Sequence, residues 1–168
     1  MNKATHKDGM KVAGFFRLQV TEDRDGKEVV VGDTGFVKNN VTNDGIRDYL
    51  VDAIIGNSPL GAVSHMALGT GAEPATNATS LAGEITHATD SRKAVTTSIV
   101  SSNTAQFTAA FNSSDSFVTA AANISNIGLF NTLTTQGGTI LAGQAYASSS
   151  LATNQNVNAT YQIRFTSA

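Results

Sequence analysis

Cysteine and tryptophan are both absent from this chain of 168 residues. Without cysteine there are no disulfides and no thiol chemistry, which suits a protein made in a reducing cytosol. The missing tryptophan weakens the case for a sugar-binding groove. Charge is also scarce: 14% of residues are ionised, low for a free soluble domain, and the net charge is −2. No basic field exists to displace counterions from nucleic acid, so no nucleic-acid partner is expected. No lysine-rich amphipathic stretch is present to lie on a membrane, and the apolar runs fall far short of the roughly 20 residues that a span needs. The N-terminal MNKATHKDGMK lacks the apolar core of a secretory signal, so none is expected.

Reaction chemistry is equally thin. His6, His65 and His87 fall in separate segments, without a second ligand at metal-binding spacing. The GTG at 69–71 lacks the Gly-Lys-Ser/Thr ending of a phosphate loop and reads as a turn. Asp52, Glu73, Glu84, Asp90 and Asp115 are scattered, with no pair placed for acid–base work. No G-x-S-x-G marks a nucleophilic serine. The sequons at Asn40, Asn77, Asn112, Asn123 and Asn158 follow from an Asn/Ser/Thr-rich composition and are not expected to carry glycans. The chain therefore reads as non-enzymatic, with no catalytic residue, cofactor or metal expected.

Forty per cent apolar residues are enough for one packed domain, with an attached arm or subdomain allowed by the length. Residues 1–50 hold eight of the eleven Lys/Arg and eight of the thirteen Asp/Glu, whereas beyond Ala94 only Asp115 and Arg164 are charged. The second half covers its polar faces with Ser, Thr, Asn and Gln. Such a face is either merely solvated or buried against copies of itself or a large partner, and the weak protection against association favours burial.

The central stretch is ISNIGLF at 124–130, continued by GGTILAG at 137–143: two strands joined by a turn that Gly137 and Gly138 can form through positive φ. Lys11 to Val20 reads as a strand, Asp25-Gly26 as a turn and Glu28 to Val31 as the partner, with a bend near Gly32 and Gly35. Val63 to Leu68 is a further strand, and Leu81 to Arg92 stays open between helix, irregular strand and loop. Lys93–Val100 and Thr104–Phe111 form a hairpin over 101–103. In the last strand Val157, Ala159, Tyr161, Ile163 and Phe165 alternate with polar neighbours. One helix is predicted over about 43–55. Thr42 or Asn43 caps it, and Ile46, Tyr49, Leu50, Ala53 and Ile54 form its apolar face. The fold expected is mainly β: a β-sandwich or jelly-roll-like domain over 38–168, preceded by an N-terminal arm or hairpin over 1–37. Tyr49, Leu50, Ile127, Leu129, Phe130, Tyr161, Ile163 and Phe165 are its expected core.

VTNDGIRDYL, followed by VSHMALGTGAEPATNATSLAGEI, resembles a pattern of tailed-bacteriophage structural proteins: N-x-V-T-N-x-G opening a helix, then A-L-G-T-G, then T-x-L-x-x-E-I. ISNIGLFNT, GGTILAG and NVNATYQIRF resemble the sheet-forming second half of the same proteins, so the resemblance runs from about Lys38 onward. It implies a virion component made in the bacterial host cytoplasm, foremost a head-decoration (cement) protein binding the outer shell. The partner implied is the major capsid protein, and a homo-oligomer, foremost a trimer, is expected. In that reading Phe15, Phe16, Arg17 and Phe36 of the arm are the candidate lattice contacts, and removal of residues 1–37 leaves a folded domain that no longer binds capsids. The alternatives are a tail or baseplate accessory protein and a carbohydrate-binding adhesion module.

Overall fold

The computed structural model describes residues 9–56, 61–86 and 91–167. Ten strands account for most of them: β1 (Met10–Arg24), β2 (Lys27–Asp33), β3 (Val37–Val41), β4 (His65–Gly69), β5 (Lys93–Ala94), β6 (Thr96–Ser101), β7 (Thr104–Phe111), β8 (Ala122–Phe130), β9 (Ile140–Leu151) and β10 (Gln155–Ser167). All pairings are antiparallel, in the order β5-β4-β8-β9-β3-β1-β10-β7-β6, with β2 added beside β1. The architecture is mainly β and nearly closed, a sandwich that approaches a barrel.

The layers are joined at two corners. Val37–Asn39 of β3 pair with β1, and the next residues, Asn40 and Val41, pair with Gly143 and Ala142 of β9. On the opposite side β5 pairs with β4, and its continuation β6 pairs with β7. Between the layers lies one core, which includes Phe16, Leu18, Met66, Leu68, Phe111, Ile127, Leu129, Tyr161 and Ile163.

The β1–β2 turn forms as expected. Asp25 and Gly26 take positive φ of 57° and 75°, the left-handed pair that a two-residue hairpin requires. Val31 is the extra residue of a bulge opposite Val20 and Thr21. In the β8–β9 connection positive φ falls on Gln136 and Gly138, and not on Gly137.

The supposed arm is not an appendage. β1 runs through the sheet, paired from Met10 to Glu22 with β10 on one flank, and with β3 over Gly14–Phe16 and β2 over Gln19–Arg24 on the other. Its alternation places Phe16 and Leu18 in the core, and the expected boundary after residue 37 falls inside β3.

The expected core is largely where the sequence placed it, with Leu50 and Phe165 only half-buried. Phe130 is buried in a second, smaller cluster with Ala67, Leu81 and Ile140. This explains why ISNIGLF lacks a clean polar alternation. Leu129 faces the main core and Phe130 faces the second cluster, so β8 is covered on both sides.

The helix departs from expectation. It begins at Asn43–Gly45 with Thr42 as N-cap, whose hydroxyl accepts from Gly45 N at 2.8 Å. It then widens into a π-helical stretch, Ile46–Val51, before closing as Asp52–Ile54. The amide of Asp52 donates to the carbonyl of Arg47, five residues back. That wider winding rotates the later residues away from the face that a 3.6-residue period predicts. Tyr49 is buried and its hydroxyl donates to Thr139 O at 2.6 Å, whereas Ile46 and Ala53 are exposed and Ile54 is 79% exposed.

Gly45 lies so close to β9 that a Cβ there would sit 2.2 Å from the Leu141 carbonyl oxygen. Both partners are backbone, so neither can rotate away. Gly45→Ala is expected to destabilise the fold by about 2–3 kcal/mol, the upper range for overpacking. Urea unfolding should show a lower midpoint at unchanged slope; an unaltered midpoint would mean that the helix is not held this tightly on β9.

Candidate interaction surface

The four residues expected to contact a lattice divide between the interior and the surface. Strand geometry sends neighbours to opposite faces, so Phe15 and Phe16 cannot share one. Phe16 is 0% exposed and packs its ring 5.5 Å from Tyr146 and 6.4 Å from Tyr161, centroid to centroid. It is a core residue and is withdrawn as a contact. Phe15 and Arg17 point outward and are partly accessible, and Phe36, in the β2–β3 loop, is 47% exposed.

The outer face around Phe15 and Arg17 is locked by polar side chains. The Arg164 guanidinium lies 4.4 Å over the Phe15 ring. It donates through its terminal nitrogen to Gln162 Oε1 at 2.7 Å, and Gln162 Nε2 donates to Gln106 Oε1 at 2.8 Å. These contacts form a ladder across β1, β10 and β7. Arg17 donates through Nε to Asp33 at 2.9 Å, while Gly35 N donates to the same carboxylate at 2.9 Å and Gln19 Nε2 at 3.2 Å. The Arg17 hydrogen bond leads the causes that hold the Asp33 carboxyl well below the usual range. Thr34 closes the loop by exchanging hydrogen bonds with Leu18: its amide donates to Leu18 O at 3.0 Å, and its hydroxyl accepts from Leu18 N at 2.9 Å. Phe36 therefore stands just beyond a loop fastened to β1.

A second surface lies at the end of the molecule where the helix meets β6, β7 and β10. Here a groove of about 320 Å³ is lined by Leu50, Ala53, Thr97, Phe107, Ile163 and Phe165, among others. Ile54 and Ile55 at the helix end are exposed, as is Ile99 of β6, at 82%, which adjoins Ala105 and Phe165 of the groove lining. Val100 is exposed beside Gln162 and Arg164 on the outer face. An apolar groove with an exposed isoleucine at its rim normally marks an interaction site. Sequence reasoning placed Ile54 on the apolar face by which the helix packs and attached no function to Ile99 or Val100.

Sequence reasoning also missed an ion pair. Arg92 and Glu84 are fully buried. Arg92 donates through Nε and one terminal nitrogen to the two carboxylate oxygens, at 2.6 and 3.0 Å. Its other terminal nitrogen donates to Thr132 O at 3.1 Å and Gly137 O at 2.9 Å, and its guanidinium sits 3.6 Å over the Phe130 ring. Gln136 donates to Glu84 from both backbone and side chain, each at 3.2 Å. Every polar atom faces inward to the protein, so the pair is a clasp between the 81–92 segment and the β8–β9 connection. The 81–86 part is irregular, with one bridge between Gly69 and Glu84, and covers the outer side of β8. No local pattern could have paired Glu84 with Arg92.

The remaining candidates do not converge. His65 accepts or donates at 2.7 Å with Ser64 Oγ, and burial, followed by the charge of Arg92, lowers its pKa. His6, His87 and Asp90 lie outside the described residues. Among the described residues no group of three His, Cys, Asp or Glu side chains is placed to hold a metal ion. Asp115 pairs with Lys93 at 3.0 Å. The GTG segment is the end of β4 and the bend that follows it, with Thr70 N and Gly71 N donating to Gly83 O and Ala82 O. No described helix is long and apolar enough to cross a membrane. No protein-family model, no curated protein and no solved structure matches the chain.

Proposed function

We propose that this protein is a non-enzymatic structural component of a tailed-phage virion, a decoration protein that binds the outer shell formed by the major capsid protein and stiffens it. The observation that carries this reading is the open apolar groove between the helix and β6, β7 and β10, with Ile99 exposed beside it, on a domain whose second half is almost free of charge. Such a surface is stable in repeated contacts with copies or a large partner, and it needs no reacting group. The resemblance that begins at Lys38 supports the virion setting. Phe15, Arg17 and Phe36 remain the lattice-facing candidates: Phe36 supplies apolar area, and the Arg17–Asp33 pair holds its loop in place. One oligomer touching several shell subunits gains affinity by avidity.

Quantitative mass spectrometry of purified virions, with the major capsid protein as internal reference, tests this reading. One copy per capsid subunit, or a simple fraction of that, is expected. A handful of copies would move the protein to the tail or baseplate, and absence from virions would remove the virion reading altogether.

A further inference from the structure

The sheet has three free edges, and they are finished very differently. β2, KEVVVGD, carries Lys27, Glu28 and Asp33 and is kinked by the Val31 bulge. β5 is only two residues long and begins with Lys93. Charges, bulges and brevity are the ordinary devices that stop an edge from pairing with another chain. β6 carries no charge and no proline: TTSIVS is six residues long and exposed at every position, and its one irregularity, at Val100, falls near its end and leaves Thr96 to Ile99 in regular register. Just before β4, the Ser64 carbonyl accepts from the Val95 amide at 2.9 Å, between β5 and β6. Beyond it, no strand among the described residues pairs with the outer edge of β6. The neighbouring residues from Ala94 to Ser114 are uncharged as well.

We propose that β6 is a self-association edge, on which the β6 strand of a second copy pairs antiparallel about a two-fold axis. Identical strands satisfy each other's free amides and carbonyls under that symmetry, and the absence of charge removes the repulsion that two copies would otherwise meet. The side-chain register is compatible. Thr97 and Ile99 lie opposite Phe107 and Ala105, on the groove side of the sheet, and Ser98 lies opposite Gln106 on the outer side. A two-fold axis perpendicular to the sheet preserves these faces. Centred on Ser98, it sets Ser98 against Ser98 of the second copy and Thr97 against Ile99 of the second copy. The exposed isoleucines then gather over the two adjoining grooves. A three-fold ring would instead require β6 to meet a different surface of the next copy, and the other two free edges are charged or too short. The inference rests on the edge and stands whether or not the partner is a capsid.

Because the chain has no cysteine of its own, Ser98→Cys places a single thiol at the proposed axis. Light scattering should give twice the monomer mass for the wild type. Under mild oxidation the Ser98→Cys variant should become a disulfide-linked dimer, while Ser114→Cys, equally exposed but remote in register, should not. Ile99→Lys should weaken the dimer at least 100-fold with an unchanged circular dichroism spectrum. A wild-type monomer at all concentrations, a trimer, or a dimer indifferent to Ile99→Lys would each overturn the assignment. Virion copy number is independent of these outcomes, so failure here and failure of the capsid reading are separable.

Discussion

Deleting residues 1–37 should produce a chain that does not fold. β1 lies between β10 and the β2/β3 flank, so its removal strips the backbone partners from one side of β10 and exposes the interior around Tyr161. Phe16 and Leu18 leave the core with it. Emptying the Phe16 site alone costs about 3–5 kcal/mol, a large fraction of the roughly 5–15 kcal/mol that holds a typical domain together. The full deletion removes that contribution together with a strand's hydrogen bonds. The truncated protein should lose its cooperative thermal transition and its dispersed amide resonances, and should be digested rapidly by protease. A truncated domain that still melts cooperatively would mean that β1 is a detachable arm and that the rest closes without it. Loss of capsid binding by this variant would say nothing about contacts, because the domain itself is lost. The contact question belongs to single changes at Phe36 or Arg17, neither of which is a core residue.

The second large effect is expected at the buried ion pair. Glu84→Ala leaves the Arg92 guanidinium enclosed without its counter-ion, and breaking a buried pair in this way typically costs about 3–5 kcal/mol. In a chain of this length that is a fall in Tm of roughly 10 °C. Arg92→Met should cost a similar amount, because it strands the carboxylate and also frees the carbonyls of Thr132 and Gly137. The double variant should cost less than the sum by at least about 2 kcal/mol, since neither charge is then left alone, and a urea-unfolding double-mutant cycle measures that difference. Simple additivity would show that the two residues act independently and that the clasp has been misjudged. Native-state hydrogen exchange should further show that the loss begins locally, in the 81–92 segment and the β8–β9 connection that the pair ties together.

The strand pattern of this protein is largely written in its sequence, because the code for a half-buried strand is local. Val157, Ala159, Tyr161, Ile163 and Phe165 alternate with polar residues, and β10 presents them inward, with Phe165 only half-covered at the end. The Asp25-Gly26 turn and the Thr42 cap were equally legible, each depending on the intrinsic conformational chemistry of one or two residues. The separation of Phe15 from Phe16 was legible too, because alternation alone places them on opposite faces. It was obscured by treating β1 as an arm.

Three features were decided only by the tertiary structure. The helix face depended on a π-helical turn that packs Tyr49 against Thr139, and no residue pattern announces that change of winding. Whether β1 was an edge or a central strand depended on β10, more than 130 residues away, since a strand's propensity does not name its partner. The pairing of Glu84 with Arg92, and the bareness of β6 beside charged β2, are likewise properties of which segments meet. By itself the sequence determined where chain segments are extended and which side of most strands is apolar, because those depend on neighbours two residues apart. The partners of those faces and edges, and so the surfaces left free for another molecule, were set by long-range contacts that local periodicity does not encode.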